Sequence, residues 1–122
     1  MSQGLIAIVD DDEAVREATK SLVRSLGYNA STFGSADEFL KSEQVHDTSC
    51  LIIDWHLPGL SGIDLQDHLV ARGHRIPIIF MTGYPDDSKQ ARAMKAGAVC
   101  FLSKPFMDDH LIECIEKALK TT

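Results

Sequence analysis

Cys50-Leu51-Ile52-Ile53-Asp54-Trp55-His56-Leu57-Pro58-Gly59 reads as a covered strand that stops on a carboxylate and passes into a Pro/Gly turn. Such a strand delivers the Asp54 side chain to one end of a sheet. In open α/β folds ligands bind at that end, beyond the carboxyl ends of the strands. Two further strand-like runs stop on reactive groups: Leu5 to Val9 is followed by Asp10-Asp11-Asp12, and Val99 to Ser103 is followed by Lys104-Pro105. Carboxylates and a lysine distributed in this way predict a magnesium-dependent site that accepts a phosphoryl group.

The rest of the chain supplies the scaffold for such a site. Strand-like and helix-like segments alternate five times. Leu5 to Val9 is a continuous apolar run, as expected of a strand covered on both faces. Val15, Ala18, Leu22 and Leu26 then recur at helical spacing, and Gly27 supplies a stop. Tyr28 to Phe33 is more polar and suits an edge strand. Ser35-Ala36-Asp37-Glu38 has the pattern of a capping box opening a short helix with Phe39 and Leu40 inward. Lys41 to Ser49 is polar and expected to be loop. Cys50 to Asp54 is the third strand, and Asp64, Leu65, Leu69 and Val70 fit the helix after the turn at Pro58 to Gly62. Pro77 to Thr82 is the fourth strand. Asp86 or Asp87 caps a helix carrying Ala91, Met94 and Lys95, stopped by Gly97. Val99 to Ser103 is the fifth strand, and Leu111, Ile112, Ile115 and Leu119 face inward on a last helix. Apolar strands alternating with helices imply a doubly wound parallel sheet.

Composition bounds the function. The 122 residues suit one unit, 1–122, with one core and no output domain within it. With 44% hydrophobic and 25% charged residues, the chain reads as an ordinary globular protein. No apolar run nears the ~20 residues that span a membrane, and no basic segment precedes a long apolar one near the start. A cytoplasmic location is therefore expected. A net charge of −6 disfavours direct nucleic-acid binding through a broad basic face. Cys50, Cys100 and Cys114 are odd in number and lack CxxC spacing, which argues for reduced thiols rather than disulfides or zinc.

The acidic residues set a geometric condition. Neighbouring residues in a strand point to opposite faces, so Asp10 and Asp11 share a site only if the chain turns between them. Asp12 and Glu13, opening a helix, make that turn, and Asp12 suits the cap. Asp10, Asp11 and Asp54 together form an oxygen-only site that suits Mg²⁺, or Mn²⁺, better than zinc. Clustered carboxylates repel one another, so a fold gains little from them unless a cation comes. Lys104 can pair with phosphoryl oxygens, and Thr82, just before Gly83, can donate its hydroxyl to one.

These residues resemble those of bacterial two-component response-regulator receiver domains, over essentially the whole chain. The matching pieces are Val9-Asp10-Asp11-Asp12, Ile53-Asp54, Leu57-Pro58-Gly59-Leu60-Ser61-Gly62, Met81-Thr82-Gly83 and Lys104-Pro105-Phe106. The stretches Ser35 to Leu40 and Gly97 to Phe106 look most like the FixJ-type subgroup, whose receivers usually precede a helix-turn-helix output domain. The resemblance implies a flavodoxin-like (βα)5 sheet in the order 2-1-3-4-5. It implies Asp54 as phosphoacceptor, with Asp10, Asp11, the Asp54 side chain and the backbone carbonyl of His56 holding Mg²⁺. It implies Thr82 and Lys104 as phosphoryl-contacting residues, Phe101 as the aromatic switch, Gly62 as a structural residue, and a cis peptide between Lys104 and Pro105. The partner it implies is a sensor histidine kinase or phosphotransfer protein, with homodimerisation on phosphorylation. Phosphorylation would reshape the face made by the fourth helix, fifth strand and fifth helix.

Trp55, His56 and Tyr84 stand where this family varies. Their bulk is expected to modulate the site, by shielding the phosphoryl group from water or by displacing it. His46, His68, His74 and His110 lack ligand spacing and are expected at the surface. Other functions fit less well. A haloacid-dehalogenase-like phosphohydrolase pairs its nucleophile with an aspartate two residues on, where this chain has His56. A flavodoxin-like nucleotide binder needs a Gly-rich cradle after the first strand, where this chain has Asp-Asp-Asp. A receiver-like docking module that accepts no phosphate would not need the five filled site positions.

Overall fold

The pleat of the strands sorts the apolar residues into two cores, one on each face of the sheet. The computed structural model describes residues 4–120, so the outermost positions of the expected 1–122 unit lie outside the described residues. The strands are β1 (Leu5–Val9), β2 (Asn29–Phe33), β3 (Thr48–Asp54), β4 (Ile78–Thr82) and β5 (Cys100–Ser103). All pair in parallel, in the order β2-β1-β3-β4-β5. The helices are α1 (Glu13–Ser25), α2 (Ala36–Lys41), α3 (Gly62–Ala71), α4 (Asp87–Lys95) and α5 (Asp108–Lys120). Ile6, Ile8, Cys50, Ile52, Ile79 and Met81 pack with Val23 of α1 and Leu111, Cys114 and Ile115 of α5. Ala7, Val9, Leu51, Ile53 and Phe80 pack on the other face with Phe39, Leu65, Leu69 and Ala93 from α2, α3 and α4. Strands with apolar side chains on both faces have no solvated side, which is why they read as unbroken hydrophobic runs. The polar strand β2 is at an edge, as its composition required.

Local signals explain most helix ends. Asp12 caps α1 by accepting from the Ala14 and Val15 N–H groups, and Gly27 beyond its end has φ of +94°, a left-handed conformation that glycine takes without strain. Ser61 and Asp64 form a reciprocal capping box at α3, and Asp86, not Asp87, caps α4. At α2 the box is only half made. Ser35 Oγ accepts from Glu38 N–H, but the Glu38 carboxylate reaches past Ser35 to the Gly34 N–H.

Several expectations need correction. Lys41 to Ser49 is not loop: it holds a 3-10 helix, Glu43–Asp47, capped by Ser42 and anchored by buried Val45, and the start of β3. One apolar residue in a single turn leaves no periodicity to read. In α1 Ala18 is exposed, and the buried positions are Thr19 and Val23. In α3 Val70 is 65% exposed, while Gln66 is buried and donates from Nε2 to the Ala96 carbonyl at 3.0 Å. Leu65 and Leu69 fix the inward face of α3, and Val70 falls roughly 100° round from Leu69. Met94 and Ala91 of α4 also face solvent, and only Ala93 of that helix is buried. His74 is half-buried, its ring edge-on to His46 at 5.1 Å. The three cysteines are free, and burial pushes the Cys50 and Cys114 thiols up to about 12.

Gly62 is held where the chain has no room for a side chain. A Cβ there would lie 2.7 Å from the Asp54 carbonyl oxygen and 3.0 Å from the Phe80 ring. The Gly62 N–H also donates to the Trp55 carbonyl at 3.2 Å. The start of α3 is thereby stitched to the end of β3. Gly62→Ala is expected to destabilise the fold by about 1–3 kcal/mol, the usual cost of overpacking. A urea denaturation midpoint equal to that of the parent chain would show that the contact has slack.

Candidate functional site

Four strand ends converge at one rim of the sheet. Asp10 continues the ladder one residue past β1, its N–H donating to the Phe33 carbonyl at 3.1 Å. Its side chain is fully buried, and Oδ1 accepts the Asp12 N–H at 2.9 Å. That bond closes the turn on which Asp11 swings to the same side. Asp54, at the end of β3, is 6% exposed, and its Oδ1 accepts the His56 N–H at 3.0 Å. Carboxylate oxygens of Asp10, Asp11 and Asp54 lie within 4.8 Å of one another. Thr82 ends β4, buried, with Oγ1 accepting the Tyr84 N–H at 3.1 Å. Lys104 follows β5: its N–H donates to the Thr82 carbonyl at 2.7 Å, and the Lys104–Pro105 peptide is cis.

Lys104 Nζ donates to Asp10 Oδ2 at 2.7 Å and to Asp54 Oδ2 at 2.9 Å. Burial opposes the lysine charge, but the hydrogen bonds and attraction of both carboxylates outweigh it and hold the ammonium above the ordinary lysine value. The pair is not symmetric. Burial raises the Asp54 carboxyl above 3.8, and the Lys104 and His56 hydrogen bonds only partly offset it, while Asp10 adds repulsion. Lys104 draws on two anions, whereas each anion shares one cation. The site is therefore short of positive charge. An oxygen-only donor set with an unmet demand for cation fits a hard divalent ion such as Mg²⁺.

The remaining residues surround this rim. Phe101 on β5 is half-buried, on the same face of the sheet as Phe80 and Thr82. Trp55 turns into the core, with its ring edge-on to Phe80 at 5.2 Å and to Phe101 at 5.8 Å. Its link to the rim therefore runs through Phe101 rather than over the mouth of the site. His56 and Tyr84 are the exposed pair, rings 6.0 Å apart. Sequence reasoning missed two residues. Arg16 on α1 donates from Nη1 to the Asp10 carbonyl at 2.9 Å, and Lys89 on α4 reaches His56. Both are ordinary surface-type cations in a helix, and no local pattern marks where their tips land.

Residues 6–116 match the family model described as "Response regulator receiver domain". The chain belongs to that family. Receiver domains are phosphorylation-dependent signalling switches rather than enzymes in their own right, and the family generally uses Mg²⁺. This receiver is 45% identical over 117 residues to Nodulation protein W of Bradyrhizobium diazoefficiens, covering 96% of the chain and 52% of that protein. It is 39% identical over 119 residues to the transcriptional regulatory protein FixJ of the same organism, covering 98% of the chain and 58% of FixJ. The chain spans about half the length of the curated relatives it matches. The response regulator StyR superposes with a TM-score of 0.90 at 42% identity, over 98% of this chain and 61% of that one. The crystal structure of FixJ-N superposes with a TM-score of 0.88 at 35% identity, over 100% of this chain and 98% of that one. Among the described residues no helix is long and apolar enough to cross a membrane.

The raised Asp54 carboxyl has a consequence for stability. The fold holds that proton more tightly than the unfolded chain does, so stability falls as pH rises from 3.8 through the raised value. Above that raised value the penalty is fully developed. Asp54→Asn removes it while Lys104 keeps its 2.7 Å bond to Asp10. The variant is expected to melt a few degrees above the parent in metal-free buffer at pH 7, and MgCl₂ should narrow the gap by stabilising the parent more. A lower Tm for the variant would mean that the ion pair outweighs the burial cost.

Proposed function

We propose that this receiver takes a phosphoryl group from the phosphohistidine of a sensor histidine kinase or phosphotransfer protein onto Asp54. The observation that carries the reading is the gathering of Asp54, Asp10 and Asp11 oxygens within 4.8 Å, with Lys104 Nζ bound to two of them. A carboxylate oxygen of Asp54 attacks phosphorus in line. The P–N bond to the donor imidazole breaks, and its electron pair leaves with the imidazole nitrogen. Asp10, Asp11, Asp54 and the His56 backbone carbonyl would hold Mg²⁺ (or Mn²⁺), which would supply positive charge to the phosphoryl oxygens. The Lys104 ammonium exchanges its bond to Asp54 Oδ2 for one to a phosphoryl oxygen. Hydrolysis of the acyl phosphate resets the site.

The readout is a shift of population. The Thr82 hydroxyl turns toward the new phosphoryl oxygens, and Phe101, only half-buried at rest, rotates into the space released. That reshapes the face made by α4, β5 and α5. A complete reversal from inactive to active needs about 5.5 kcal/mol of differential stabilisation. Phosphorylation favours homodimerisation through that face, while the net charge of −6 keeps this domain off nucleic acid. The domain works in the cytoplasm and hands its state to an output domain or partner.

Docking of the donor is supported by the α1 side. An apolar groove of about 350 Å³, lined by Val15, Ala18, Leu22, Pro105, Phe106 and Leu111, opens beside Lys104. It accounts for the exposed Ala18, whose methyl faces the groove rather than the core. Acetyl phosphate with Mg²⁺ is expected to label the parent chain, and both Asp54→Asn and chelation by EDTA should abolish labelling. Undiminished labelling of Asp54→Asn would remove Asp54 from the acceptor role.

A further inference from the structure

A second ammonium lies across the two loops that flank the acceptor. Lys89, in the first turn of α4, donates from Nζ to the Tyr84 carbonyl at 2.7 Å and lies 3.0 Å from His56 Nε2. An ammonium has no lone pair to accept with, so Nε2 is the acceptor and His56 carries its proton on Nδ1. The Asp86 carboxylate caps the helix through the Lys89 backbone N–H at 2.7 Å and lies 3.9 Å from the ammonium, and the Lys89 side chain is 21% exposed.

The partners of those two residues close a circuit. His56 N–H donates to Asp54 Oδ1 at 3.0 Å, and Tyr84 N–H donates to Thr82 Oγ1 at 3.1 Å. One lysine thus ties the loop after β3 to the loop after β4. On one side the tie leads to the acceptor carboxylate, and on the other to the Thr82 hydroxyl. Tyr84 is 76% exposed, so its side chain adds little anchorage of its own. Lys89 is what fixes the Tyr84 carbonyl, and hence the backbone whose N–H holds Thr82.

We propose that Lys89 is a positioning residue: by clamping Tyr84 to His56 it keeps the Thr82 hydroxyl on the Tyr84 amide in the resting state, and so sets how readily the phosphorylated arrangement forms. This rests on Asp54 being the acceptor. The clamp is not a source of attraction for the phosphoryl group. Its ammonium is engaged with Tyr84 and His56, and releasing it should favour activation rather than oppose it.

The test is Lys89→Met in the full chain, which keeps the aliphatic stem and removes the donors. Two quantities are read. One is hydrogen exchange at the Tyr84 amide without ligand. The other is beryllofluoride affinity in saturating Mg²⁺, followed by Trp55 fluorescence. Loss of the clamp should speed Tyr84 exchange and tighten beryllofluoride binding, each about three- to tenfold, as expected for one net hydrogen bond. Mg²⁺ affinity should change less, because Lys89 touches none of the three carboxylates and meets His56 at its ring rather than at its backbone carbonyl. Unaltered exchange at Tyr84 overturns the proposal, and so does beryllofluoride binding that is weaker or unaltered. A parent chain that ignores beryllofluoride would count against the acceptor reading instead, and the exchange rate alone would then decide whether the clamp exists.

Discussion

The Lys104 ammonium, shared between Asp10 at 2.7 Å and Asp54 at 2.9 Å, is the contact on which the rest of the rim depends. Without it, the end of the sheet would hold buried carboxylates with nothing to balance them, and the charge would cost the fold more than hydrogen bonds could return. With it, the balance is incomplete, since three carboxylates gather there and the ammonium bonds two of them. A site balanced at rest would have little use for a divalent ion. An unbalanced one suits a divalent cation, the ion that receiver domains generally use.

The parallel sheet makes this arrangement possible. Every strand runs the same way, so each delivers its last residue to the same edge. Four strands therefore contribute Asp10, Asp54, Thr82 and Lys104 from positions spread over most of the chain. The scaffold is stiff where those groups leave it: Ile6 to Val9, Cys50 to Ile53 and Ile79 to Met81 are fully covered. Precision at the rim comes from that packing.

Much of this was legible in the residues themselves. Each buried strand is an unbroken apolar run, and each site residue stands one or two positions beyond the end of its run, so strand order apart, the rim could be read directly. Asp12 announced its cap by type and position. What escaped notice shares a physical cause. Val45 anchors a single 3-10 turn, too short for any period to show. The buried stripe of α1 sits on Thr19 and Val23 because helix rotation is set by the facing sheet, and the apolar Ala18 is left for the groove beside Lys104. Lys89 and Arg16 act through the tips of long flexible side chains, and where such a tip lands is decided by tertiary distance. Trp55 looked like a guard at the mouth of the site, yet its neighbour Asp54 already occupies the outward direction, and the pleat sends the indole inward onto Phe80 and Phe101.

The two helices that follow β3 and β4 are held very differently. α3 begins at Gly62, pressed against the Asp54 carbonyl, and buries Ile63, Leu65, Gln66 and Leu69. α4 buries Ala93 alone. Mechanical compliance is therefore lopsided: work done at Asp54 meets an abutment on the α3 side and a loosely seated lever on the α4 side. An antibody fragment or macrocycle meant to freeze the protein in one state should grip α4, because α3 is already held by its buried face.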